Sequence, residues 1–205
     1  MSPMTTLPAR LACLSLLTWW SVSSALAATP LKAPAVSAPP VARLQAAGSE
    51  VSFTATQIGV PLEGRFKRFE AQIALDPRQP QTGRVSFQID LGSVAINAET
   101  DAELLKPEWF NAGQFPKAQF VSRSIQTVGP GRYEVRGTLS IKGVSRELVV
   151  PVSLSSTGAQ AIATGSFKLK RLDFKIGDGD WADPSVVAND VQVRFKLLLQ
   201  GLPPL

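Results

Sequence analysis

Residues Leu91–Phe120 read LGSVAINAETDAELLKPEWFNAGQFPKAQF, and here an otherwise strand-like sequence changes its rhythm. Before it, Val85, Phe87, Ile89 and Leu91 recur at every second position; after it, Ala118 and Phe120 resume the same period. Between them come Asn97 and then Thr100-Asp101-Ala102-Glu103, residue types that suit the start of a short helix. A helix of about two turns is marginal by itself. Its Leu104 and Leu105, and the aromatic cluster Trp109, Phe110 and Phe115, must therefore rest on an apolar surface. The stretch predicts a short helical segment closing one end of a β-barrel with a hydrophobic interior.

Outward from this stretch the period is two almost throughout, the signature of half-buried strands. Val51, Phe53 and Ala55 alternate with Ser52, Thr54 and Thr56, after which Gly59, Pro61 and Gly64 interrupt. Phe66, Phe69, Ala71, Ile73 and Leu75 follow, and the step of three from Phe66 to Phe69 predicts a bulge. Tyr133, Val135, Gly137, Leu139 and Ile141 form the cleanest alternation, and Lys142-Gly143 reads as a tight turn into Leu148, Val150, Val152 and Leu154. Pro151 lies on the opposite parity, which points to an edge or a bulge. Segments at Ile162–Leu169 and Val187–Leu199 complete about eight strands joined mostly by hairpin-length connections. So many one-sided strands bury their apolar face by closing into a barrel or stacking as a sandwich. A transmembrane barrel would need its interior built from the Lys and Arg positions while Phe69, Phe87 and Phe120 met lipid, and it ranks low.

The chain opens with Arg10, an apolar run from Leu11 to Trp20, and Ala25-Leu26-Ala27, the pattern of a secretory signal peptide. Residues 1–27 are expected to be that leader, so the protein is expected in the periplasm. Residues 28–47, rich in Pro and Ala, read as an extended tether, 48–200 as one domain, and 201–205 as a tail. The tether suits either a reach toward a membrane-protein partner or a plain spacer.

The single cysteine, Cys13, lies within the leader, and the chain has no histidine. Past the leader, thiol chemistry, disulfides, imidazole metal sites and histidine-based triads are excluded. The acids fall in turns or on outward parities and make no regularly spaced metal loop. No enzyme and no cofactor is expected. The net charge of +5 is mild, and the basic residues are scattered through the strands, which argues against a nucleic-acid partner.

Inward candidates include Phe53, Phe66, Phe69, Phe87, Phe120, Tyr133, Phe167, Phe174 and Phe195, set among small Ala55, Ala71, Ala118 and Gly137. An eight-stranded barrel is wide enough to be filled by side chains or to hold a slender ligand. The residues alone leave both readings open.

Four segments then carry a resemblance. They are Val51-Ser52-Phe53 with Gly59, Gly64-Arg65-Phe66 and Phe69; Ser93-Val94 and Asn97–Phe110 with Phe115-Pro116-Lys117-Ala118-Gln119-Phe120 and Ser122; Tyr133–Gly143; and Phe167 with Leu172-Asp173-Phe174. Over roughly 49–199 the chain resembles the YceI-like family, periplasmic proteins described as polyisoprenoid-binding with a lipocalin-like barrel. The resemblance implies an all-β, antiparallel, eight-stranded lipocalin-like barrel with a short helical segment near one end. It also implies an isoprenoid lipid ligand of the quinone or polyprenyl phosphate type. The ligand-binding residues it suggests are Phe53, Gln57, Phe66, Phe69, Phe87, Trp109, Phe110, Phe115, Phe120, Tyr133, Phe167, Phe174 and Phe195. Several family members carry histidine where Gln57, Ala98 and Leu104 stand here, so what this chain retains of the site is its apolar part. Gln57, Lys106 and Arg65 are candidates for a polar head group. A homodimer is compatible with the sequence. The rival readings are a structural or stress-response module with a filled core, and an accessory protein of a membrane quinone-dependent redox system.

Overall fold

The computed structural model describes residues 38–204. The predicted leader with Cys13, and tether residues 28–37, lie outside the described residues. Ten strands and one helix follow in chain order: β1 (Val41–Gln57), β2 (Val60–Phe66), β3 (Phe69–Ala74), β4 (Arg84–Asp90), β5 (Val94–Ala95), α1 (Ala98–Leu104), β6 (Lys117–Gly129), β7 (Arg132–Ile141), β8 (Val144–Thr157), β9 (Gln160–Lys170) and β10 (Asp190–Gln200).

All ladders are antiparallel, in the order β10-β9-β8-β7-β6-β4-β3-β1, and β1 pairs again with β10. Eight strands thus close on themselves, and the sandwich alternative falls away. Closure removes the exposed edges that a flat sheet would present. β2 and β5 are additions: β2 lies beside the second half of β1, and β5 adds two residues to β2.

The alternation of sequence explains the elements. β7 buries Tyr133, Val135, Gly137, Leu139 and Ile141 and turns the intervening side chains outward. The Lys142-Gly143 turn has both residues at positive φ, 49° and 73°, the twist that matches a two-residue hairpin. The break predicted between Phe66 and Phe69 falls at Lys67-Arg68, where β2 hands over to β3. There the Lys67 and Arg68 amides leave the strand ladder and donate to the Ser93 carbonyl and Oγ, each at 3.0 Å. Gly59 turns the β1–β2 hairpin as expected, but Pro61 and Gly64 lie within β2. In register with Phe53, Gly64 is small because that ring covers it.

Two expected boundaries move. β1 begins at Val41, inside the stretch read as tether, and Ala42 is buried opposite Ile73. Gly48, at φ 93°, is an irregularity within the strand rather than its beginning: partners jump from Gln45↔Leu198 to Glu50↔Lys196. The bulge shifts the inward parity from Ala42 and Leu44 to Val51, which hid the first turn of alternation among alanines. The second change is the helix cap. Asn97, not the Thr100 group, caps α1 by accepting from the Thr100 amide at 2.9 Å.

Two buried clusters occupy the barrel ends. Ile73, Leu75, Ile125, Tyr133, Leu154 and Leu199 fill the end of the short β6–β7 and β8–β9 turns. Leu91, Trp109, Phe110, Phe174, Ile176 and Val187 fill the end beneath α1 and the long β9–β10 connection.

Candidate functional site

Between these clusters lies an apolar lumen of about 140 Å³, lined from all eight barrel strands. Its wall includes Val51, Ile73, Phe87, Phe120, Tyr133, Val150, Phe167 and Phe195. The volume is close to the roughly 150 Å³ at which an engineered apolar cavity stays dry and takes up a benzene ring. Phe87, Phe120, Phe167 and Phe195 are only partly buried, whereas the residues at both ends are fully buried. Free space is therefore concentrated in the middle of the barrel.

Glycines keep that space open. Gly137 and Gly165 face inward, and a Cβ built on either would stand 2.6 and 2.3 Å from the rings of Phe120 and Phe195. Each ring reaches over a glycine on the adjoining strand, in the space a Cβ there would take. Two large rings are thus accommodated beside the wall, over positions that carry no side chain. The single polar side chain of the inner wall that is itself buried is Tyr133, whose burial raises its phenol above the ordinary range.

Of the predicted site residues, Phe87, Phe120, Tyr133, Phe167 and Phe195 line this lumen. The other eight stand elsewhere. Phe53, Phe66 and Phe110 make a run of tilted rings with centroids 5.4 and 6.2 Å apart. Phe69 stacks on Phe87 at 5.8 Å and lines a polar surface groove on its other side. Trp109, Phe110 and Phe174 are buried in the cluster that fills the barrel end beneath α1, away from the lumen wall. Phe115 lies over the Gly143 turn, and Gln57 is exposed at the end of β1, bridged to Val187. Lys106 is exposed and paired with Glu103, and Arg65 lines the surface groove with Lys67, Glu50 and Glu70. Neither of these two head-group candidates lines the lumen.

The residue that sequence reading missed is Arg171. Only 2% exposed, it has no carboxylate partner among the described residues and donates instead to the carbonyls of Ile176, Gly177, Trp181, Val187 and Ala188, the shortest at 2.6 Å. Its guanidinium also sits 5.9 Å from the Trp109 ring centre, and Trp109 packs on Trp181 at 5.4 Å. A guanidinium offers five donors in a rigid fork, and here they gather one long connection into a cap over the barrel end. Burial lowers its affinity for the proton without removing the charge. In the sequence it sits in Lys168-Leu169-Lys170-Arg171, indistinguishable from a solvated basic run. Lys142 does similar work nearby, donating to the carbonyls of Lys175 (2.6 Å) and Glu108 (3.2 Å).

Among the described residues no three or more His, Cys, Asp or Glu side chains gather as a metal site, and no helix is long and apolar enough to cross a membrane. The site is thus an apolar chamber in a closed antiparallel barrel, without a convergent set of titratable groups among the described residues. The chain belongs to the YceI-like family, whose domain matches residues 43–199. A UPF0312 protein of Photorhabdus laumondii is 31% identical over 123 residues, which cover 56% of this chain and 64% of that protein. The crystal structure of Burkholderia cenocepacia BcnA superposes with a TM-score of 0.74 at 36% identity, over 76% of this chain and 99% of BcnA. A polyisoprenoid binding domain from Saccharophagus degradans, implicated in plant cell wall breakdown, shares the fold, with a TM-score of 0.64 at 15% identity over 80% of this chain and 99% of that domain.

Proposed function

We propose that this protein is a periplasmic carrier or sequestering protein that holds an isoprenoid lipid, of the quinone or polyprenyl phosphate class, with its tail in the barrel lumen. One observation carries the reading: the lumen is apolar around its whole circumference and unfilled at its centre. Each methylene-sized unit moved from water into such a chamber contributes about 0.8 kcal/mol. A tail of several prenyl units thus binds firmly with no charged group in the wall. The partly buried rings of Phe87 and Phe167 are the groups that move aside, because the resting volume suits one ring-sized molecule. Membership of the YceI-like family and the polyisoprenoid binding domain of the same fold support the assignment.

The resting size of the lumen also favours the rival, a structural module whose barrel binds nothing. Organic extraction of protein purified from a quinone-producing bacterial host, followed by mass spectrometry, separates the two. A stoichiometric isoprenoid is expected. Protein that yields none, and takes none up when offered the lipid, is the structural module.

A further inference from the structure

The charges of the barrel are divided between its two ends. Segments 38–45, 75–84, 126–132, 155–161 and 199–204 make up the end of the short turns, and they carry Arg43, Arg78, Arg84 and Arg132 against one acid, Asp76. Segments 97–116 and 171–190, which include α1 and the β9–β10 connection at the other end, carry nine carboxylates against Lys106, Arg171 and Lys175. The net charge of +5 therefore conceals a separation of sign along the barrel axis.

Strand pairing puts the four arginines on one rim. Val41 of β1 lies opposite Ala74 of β3, Ala74 opposite Arg84 of β4, and Arg43 opposite Gln200 at the close of β10. Arg78 lies in the β3–β4 connection, whose 80–82 turn packs against β6, and Arg132 opens β7 opposite Gly129. All four are exposed, and none makes an ion pair among the described residues. Two are held where they stand: Arg84 Nη1 donates to the Gly83 carbonyl at 2.7 Å, and the Arg132 guanidinium lies across Gly129, 3.0 Å from where a Cβ there would be. The nearby acids do not cancel this charge. Asp76 accepts from the Arg78 amide at 2.9 Å, and Glu134, two residues along β7 from Arg132, is paired with Arg136 at 2.8 Å. The same rim exposes two apolar side chains, Val41 at 71% and Val128 at 52%. Ile58 and Val60 are also exposed, but at the acidic end, so charge and not apolar exposure alone distinguishes the two.

We infer that the barrel docks by this rim of arginines and valines on a bilayer surface rich in anionic phospholipid, with its acidic end turned away. A guanidinium presents paired donors to phosphate oxygens, and such charge-assisted bonds are the strong ones. Arginines spread around a rim from β1 to β7, with apolar side chains among them, fit a plane of many phosphates and not one small ligand. Opposite charge at the two ends also orients the molecule in the field of an anionic surface before contact. The inference goes beyond the carrier reading and holds whatever the lumen contains.

Co-sedimentation of protein purified from the periplasm of a bacterial host with lipid vesicles tests it. Vesicles of phosphatidylglycerol and phosphatidylcholine in equal parts are expected to pull the protein down at low salt, vesicles of phosphatidylcholine alone are not, and added salt is expected to release it. Arg78→Gln combined with Arg132→Gln is expected to weaken partitioning about twentyfold, roughly fivefold for each arginine lost. Lys168→Gln combined with Lys170→Gln removes the same charge from the far end of β9 and is expected to leave partitioning unchanged. Val128→Asp is expected to weaken it. The urea midpoint of each variant checks folding, since all these side chains are exposed. Absence of binding to the anionic vesicles, or equal binding to both kinds, overturns the inference. Equal weakening by the two double variants also overturns it, because net charge and not the rim would then be responsible. Sedimentation velocity adds the remaining outcome: salt-sensitive self-association that is lost in the Arg78→Gln, Arg132→Gln variant, without vesicle binding, would place the acidic end of a second copy on the rim and end the bilayer assignment.

Discussion

Tyr133 reports on the chamber better than any other residue, being the chain's only tyrosine and part of the lumen wall. Burial keeps its phenol neutral beyond the ordinary value of about 10. In the unfolded chain the phenol ionises first, so the stabilisation is complete below about pH 10 and is lost as the pH climbs through the folded value. An ultraviolet titration of the folded protein is expected to show phenolate appearing late, and later still with a tail in the lumen. Tyr133→Phe is expected to lose the signal and to flatten the fall of stability at alkaline pH. A phenol titrating at its ordinary value would mean that water fills the barrel. Arg171 makes a different residue-scale point. A charge can be buried without a counterion when five carbonyls of one connection converge on it.

Pairs of strands decide how wide the lumen is. Gly165 on β9 lies opposite Phe195 on β10, and an added methyl would meet that ring at 2.3 Å and the Pro151 carbonyl oxygen at 2.6 Å. Gly165→Ala is expected to destabilise the protein by about 1–3 kcal/mol, the usual penalty for overpacking, and to weaken tail binding by pushing the ring inward. Urea denaturation measures the first effect and lipid titration the second. Adding Phe195→Leu should restore part of both, because the two positions are in contact and their effects are coupled. Full additivity would show that the ring does not depend on the glycine. The β8–β9 ladder belongs to the same scale: it stops beside Pro151, which has no N–H to give, while β8 stays paired with β7 and β9 with β10.

Closure of the whole barrel joins its first strand to its last, with Arg43 opposite Gln200 and Thr54 opposite Gln192. Until β10 arrives, β1 and β9 each lack a neighbour, and the chamber does not exist as an enclosed volume. Folding that must bring such distant segments together is slow, on the order of milliseconds to seconds. Stopped-flow refolding followed by tryptophan fluorescence is expected to fall in that range, with the Trp109–Trp181 contact as reporter. Refolding within microseconds would contradict a barrel whose last step is end-to-end pairing.

Much of this was legible in the amino-acid order. Period-two alternation identified the strands, the step from Phe66 to Phe69 marked the break between β2 and β3, and the absence of histidine removed whole classes of chemistry. These are local properties, carried by side-chain polarity and backbone freedom within a few residues. The aromatics were found, but not their assignment to wall or end. Phe87 and Phe174 look alike in sequence, yet one lines the lumen and the other is buried in the cap. Which glycine receives which ring, whether an arginine meets solvent or five carbonyls, and where two strands separate depend on partners brought together from far along the chain. Register across the closed barrel decides them, and register is a property of pairs of strands that no single strand carries.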